Sequence, residues 1–126
     1  MLIIPKNRTY IKPQRASHVA GQMNKLEEQY SHHLKMRKLA GEILDYRFEA
    51  MAFTLCHNVP GKRNKMTYTP DFLVLTTDCF ELHEVKGFWE EDAWNKIKMA
   101  AELFPWFRWF AVQRDKKMGN WKTEEF

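Results

Sequence analysis

Two short apolar runs separated by a turn constrain this chain more than any other feature. Phe72-Leu73-Val74-Leu75 and the stretch from Phe80 to Val85 flank Thr76-Thr77-Asp78. Short apolar or alternating runs bounded by turn residues predict strands, and two so close predict a hairpin. Side chains alternate along a strand, so Glu84 and Lys86 share a face with Leu82, while His83 and Val85 point the other way. The same hairpin sets Asp71, which follows Thr69-Pro70 at the start of its strand, opposite the Glu84/Lys86 end.

The resulting pattern is Pro-Asp followed by Glu-x-Lys-Gly, with Glu84 thirteen residues after Asp71. Two carboxylates converging on one point repel each other and must bind a cation or hold a proton. Hard oxygen ligands suit Mg²⁺, which keeps several waters and takes one or two carboxylates plus phosphate oxygens. A metal held there lowers the pKa of a bound water and neutralises charge on a scissile phosphate. Lys86, on the same face, can orient that water or stabilise a developing oxyanion. A plainer account has Asp71 opening a strand and Glu84 and Lys86 forming a solvated pair. Pro70 directly before the acid, strand-like flanks on both halves and Gly87 leading into a helix favour phosphodiester chemistry.

With 126 residues, 44% of them apolar, one domain with a substantial core is expected. The longest nearly apolar stretch, Leu103 to Val112, is interrupted by Pro105 and Arg108 and is too short to span a bilayer. Met1-Leu2-Ile3-Ile4 is too brief an apolar start for a signal peptide. Cys56 and Cys79 fall in predicted strands without metal-ligand spacing, which predicts buried free thiols and a cytoplasmic location. The net charge of +4 is uneven: Lys6, Arg8, Lys12, Arg15 and Lys25 are accompanied by no acid before residue 27. The remainder carries one more acid than base. Residues 1–16, which include Pro5 and Pro13, therefore read as a basic arm suited to DNA phosphates, or as a solubilising tail.

Helical periodicity predicts a first helix over 17–40, with Met23, Leu26, Tyr30, Leu34 and Met36 on its apolar side and Gly41 as its stop. Strands are expected over 43–55, 68–75 and 80–86, with a turn at 60–65. A second helix is expected over 90–104, opened by Glu90, Glu91 and Asp92 and ended by Pro105. A fourth strand follows over 106–112, and after Asp115 a turn at Gly119 folds Trp121 back. The predicted class is α/β, a mixed four-stranded sheet flanked by helices in a single domain spanning 1–126. Glu27 lies on the Tyr30/Leu34 side of the first helix, where a carboxylate can reach over a sheet edge; Glu28 is one step away. Lys96 and Lys98 flank Ile97 by about 100° on either side, and Lys96 is the candidate for a phosphate contact. His83 faces away from Glu84, and His32, His33 and His57 have no partner spacing for a metal.

The stretches Tyr68-Thr69-Pro70-Asp71-Phe72 and Glu84-Val85-Lys86-Gly87-Phe88-Trp89-Glu90 resemble the PD-(D/E)xK nuclease superfamily. Within it they closely resemble the phage endonuclease I family of junction-resolving enzymes, and a related family of short phage-encoded nucleases looks similar too. Leu26-Glu27-Glu28, Leu34 and Gly41-Glu42-Ile43 extend the likeness upstream, so that it covers roughly residues 23–114. The resemblance implies a restriction-endonuclease-like core and a Mg²⁺- or Mn²⁺-dependent endonuclease that cuts branched DNA, including four-way junctions. It implies Asp71, Glu84, Val85 and Glu27 at the metal, Lys86 at the water or phosphate, and a homodimer leaving 5′-phosphate and 3′-hydroxyl ends. The segment Pro60-Gly61-Lys62-Arg63 differs from that family's exchanged bridge, and its longer C-terminal region has no counterpart here. A nuclease for linear duplex or single-stranded DNA, and a non-catalytic DNA-binding module of nuclease-like fold, are the competing expectations.

Overall fold

The central sheet packs an apolar cluster against each of its two faces. The structure is a computed structural model that describes residues 19–57 and 65–126. In chain order the elements are α1 (Lys25–Leu39), β1 (Asp45–Phe48), β2 (Phe53–Cys56), β3 (Met66–Tyr68), β4 (Phe72–Leu75) and β5 (Phe80–Lys86). They are followed by α2 (Glu91–Leu103), β6 (Arg108–Arg114) and β7 (Trp121–Glu125). The main sheet has the order β1-β4-β5-β6-β7, and β2 and β3 form a separate antiparallel ribbon. Among the described residues, only β5 and β6 of the main sheet pair in parallel, joined by α2 as the crossover that parallel strands require.

The mixed α/β class holds, but the sheet has five strands rather than four. The fifth is the turn at Gly119 and the returning Trp121 segment, which pairs in full with β6. Both long predicted strands are broken. The 43–55 segment splits after Phe48 at Glu49, whose φ of 47° no strand accommodates. The 68–75 segment splits at Thr69-Pro70-Asp71, where Pro70 has no N–H to give to a ladder. Tyr68 consequently belongs to the ribbon and Phe72 to the main sheet. α1 begins at Lys25, not near 17, because Asn24 and Glu27 close a reciprocal capping box: Asn24 Oδ1 accepts the Glu27 N–H at 2.8 Å while Glu27 accepts from the Asn24 amide. Gly41, at φ 76°, ends the helix as expected. Met36, assigned to the apolar side, is exposed. Both cysteines are free, but Cys56 is exposed, Cys79 is half-buried and Cys79 precedes β5 instead of lying in it.

Alternation along β4 and β5 divides the core. Phe72, Val74 and Val85 pack with Tyr30 and Leu34 of α1. Leu82 turns the other way, into a cluster with Phe53, Tyr68, Ile97 of α2 and Trp109. Among the described residues no helix is long and apolar enough to cross a membrane. The basic arm over 1–16 and most of the 60–65 turn lie outside the described residues. Leu34 is fully buried and Leu39, on the same helix, is 71% exposed. Leu34→Ala is expected to lower unfolding free energy by about 2–5 kcal/mol in a denaturant titration, against about 0.5 kcal/mol or less for Leu39→Ala.

Candidate active site

The β4–β5 register pairs Phe72 with His83, which sets Asp71 across from Glu84 just where β4 begins. Asp71 Oδ2 accepts the Val85 N–H at 2.8 Å, and Glu84 Oε2 accepts the Asp71 N–H at 3.3 Å. Each acid is thus fixed by the main chain of the other strand. Lys86 Nζ lies 3.1 Å from Glu84 Oε1, on the same face of β5 as expected from alternation. Asp71 and Glu84 are only 8% and 7% exposed, whereas the Lys86 side chain is 39% exposed. Lys86 is therefore the group through which the pair meets solvent.

Burial and the adjacent Glu84 charge push the Asp71 carboxyl up to about 8, because the Val85 hydrogen bond and Lys86 only partly oppose them. Burial pulls Lys86 down, but Glu84, Asp71 and Glu27 outweigh it and leave its pKa raised. Glu27 is 4% exposed and acts electrostatically on both Asp71 and Lys86. Its placement has a local cause. α1 packs with its N-terminus at the end of β5, where a Cβ on Gly87 would stand 3.8 Å from Leu26 Cδ2. Asn24 Nδ2 also donates to Glu27 Oε1 at 2.9 Å, so the capping box that starts the helix holds this carboxylate as well.

The structure therefore brings together Asp71, Glu84 and Lys86, with Glu27 in electrostatic range. Val85 enters the cluster through its amide. Lys96 is exposed on α2 and is not among the groups that shift Asp71. Lys6, Arg8, Lys12 and Arg15 lie outside the described residues. Tyr68 is the site residue that sequence reasoning passed over. Its hydroxyl donates to Glu84 Oε2 at 2.8 Å, and burial first, then the Glu84 charge, hold its pKa well above the ordinary tyrosine range. It remains a donor that fixes one Glu84 oxygen. The signal was its place three residues before Asp71, on a segment read as one continuous strand.

Among the described residues no group of three or more His, Cys, Asp or Glu side chains is gathered closely enough to hold a metal on side chains alone. What converges is a pair of acids, with a third in electrostatic range. His83 faces away from Glu84, as expected, and is absorbed in a buried chain beneath α1: Tyr30 Oη meets Nδ1 at 2.6 Å and Glu81 Oε1 meets Nε2 at 3.1 Å. Burial keeps this histidine's pKa low, with Glu81 opposing, so the neutral ring accepts from Tyr30 and donates to Glu81. A cavity of about 570 Å³ opens on that side, between α1 and β5–β7. The acid pair lies outside it.

Asp71 has a pH signature. Its folded pKa is above its unfolded value of 3.8, so between the two the folded state holds more protons and stability falls as pH rises. In EDTA, the melting temperature of the parent is expected to fall from pH 5 to pH 8, and Asp71→Asn to flatten that slope and raise stability at pH 8. A parent slope unchanged by the substitution would contradict the burial of this charge. Comparison with protein-family models, curated proteins and solved structures finds no match to this chain.

Proposed function

We propose that the chain is a metal-dependent endodeoxyribonuclease of the PD-(D/E)xK type, with a restriction-endonuclease-like core, acting on branched DNA. One observation carries the reading: the β4–β5 register sets buried Asp71 and Glu84 side by side with the Lys86 ammonium at the solvent edge. The donor set fits a hard divalent cation, Mg²⁺ or Mn²⁺. Burial and mutual repulsion outweigh Lys86 at Asp71, which leaves the pair short of positive charge. Asp71 and Glu84 would hold the ion, assisted by the Val85 carbonyl and by Glu27. When bound, such an ion supplies an activated water and neutralises charge on the phosphate.

The chain's own residues supply the rest. Lys86 presents an N–H donor to solvent beside the acids, where a phosphate oxygen or the attacking water would sit. Tyr68 and the Asp71 amide occupy Glu84 Oε2, which fixes the orientation of Glu84. Asn24 does the same for Glu27. The basic arm, Lys6, Arg8, Lys12 and Arg15, together with Lys96, would add salt-dependent phosphate contacts. The preference for branched DNA follows from the resemblance to the phage endonuclease I family, and cutting two opposed strands calls for a homodimer.

The test is a labelled four-way junction and a matched linear duplex, each with Mg²⁺ and with EDTA. The parent is expected to make paired cuts near the branch in Mg²⁺ only. Asp71→Ala and Lys86→Ala are each expected to lower the cleavage rate about 100-fold or more, with binding retained. Cleavage by either variant at the parent rate would remove that residue from the mechanism. Equal cutting of both substrates would remove the preference for branches.

A further inference from the structure

The segment that leaves β5 is held at both ends and presents one large ring to solvent. Gln113 Nε2 donates to the Gly87 carbonyl at 3.3 Å, and Trp89 Nε1 donates to the Val112 carbonyl at 3.3 Å. Trp89 also meets Trp94 edge-on at 5.6 Å and packs against the core. Between these anchors Phe88 is 76% exposed. Trp106 and Met118 are equally exposed, so exposure does not single Phe88 out. Position does: it follows Lys86 by two residues on a backbone fixed to β6.

Successive Cα atoms are 3.8 Å apart, so the Phe88 Cα is within about 7.6 Å of that of Lys86. Bases along one strand of a duplex are spaced by about 3.4 Å. Both side chains add to that separation, so a phosphate facing Lys86 puts the Phe88 ring within a few nucleotides of the bond to be cut. In a continuous duplex each base has a neighbour on both faces, and an aromatic ring finds no free face. At a branch, flap, gap or single-stranded segment it does, and stacking there tolerates any base.

We propose that Phe88 is a stacking platform for an unstacked nucleobase near the scissile phosphate, which makes it a residue that selects branched or single-stranded over continuous duplex DNA. The choice of DNA as ligand rests on the nuclease reading above. The experiment measures binding in EDTA by fluorescence anisotropy, with a forked DNA carrying 2-aminopurine at the branch-point nucleotide and a matched linear duplex. The parent, Phe88→Ala and Phe88→Trp are compared, with the oligomeric state of each followed by gel filtration.

The fork-to-duplex affinity ratio is expected to fall roughly 5- to 100-fold in Phe88→Ala and to be kept in Phe88→Trp. Quenching of 2-aminopurine should be present in the parent and Phe88→Trp and absent in Phe88→Ala. A parent with no fork preference, or a ratio unchanged in Phe88→Ala, would overturn the proposal. So would a change of oligomeric state in Phe88→Ala, which would assign the ring to a protein contact. Cleavage in Mg²⁺ is read separately: a parent that binds forks through Phe88 but cuts nothing would refute the nuclease and leave the stacking platform standing.

Discussion

Two like charges buried side by side dictate what surrounds them. Asp71 and Glu84 are brought together by a pairing register that the apolar residues of β4 and β5 set, since a slip of one residue would turn Phe72, Val74 and Leu82 to the wrong faces. The core thus determines the geometry of the acids, and the acids oppose the core. Each burial that stabilises the hairpin raises the cost of ionising Asp71. The fold answers with main-chain donors from the opposite strand, the Tyr68 hydroxyl and the Lys86 ammonium. These compensate only in part, and that shortfall is what a cation would relieve.

The two faces of β5 are put to different uses. Glu84 and Lys86 look toward the acid site, while Glu81 and His83 close a buried hydrogen-bonded chain with Tyr30 beneath α1. The second network has every member satisfied, which makes it a support for the strand from behind. α1 contributes to both. Tyr30 and Leu34 anchor its middle, and its first turn brings Glu27 to the end of β5. Gln113 and Trp89 then fix the exit from β5, so the segment after Lys86 leaves in a set direction.

The hairpin, its facing pattern and the convergence of Asp71, Glu84 and Lys86 were legible in the sequence because strand alternation and a short turn leave few alternatives. α2 was legible for similar reasons, with acids at its start and Pro105 after its end. The start of α1 was misread although its signal was present. Asn24 and Glu27 have capping-box spacing, but Met23, which precedes the cap, was counted on the apolar side of a longer helix. Glu49 was not legible. Its left-handed backbone costs about 1–3 kcal/mol and is held by bonds to distant partners: its N–H to the Asp71 carbonyl and its carboxylate to the Gly21 N–H. Tyr68 was hidden for a related reason, because the break at Pro70 sends it to another sheet and only tertiary packing returns its hydroxyl to Glu84.

The most direct measurement of the central claim is thermal unfolding at pH 8 with and without Mn²⁺, in the parent and in Asp71→Asn, alongside the count of bound Mn²⁺ by electron paramagnetic resonance. If the acid pair is a cation site, Mn²⁺ at a hundredfold excess over its dissociation constant should stabilise the parent by about 2.7 kcal/mol. The variant should gain little from Mn²⁺ and be the more stable of the two without it. A parent that binds no Mn²⁺, or a variant stabilised as much as the parent, would contradict the account.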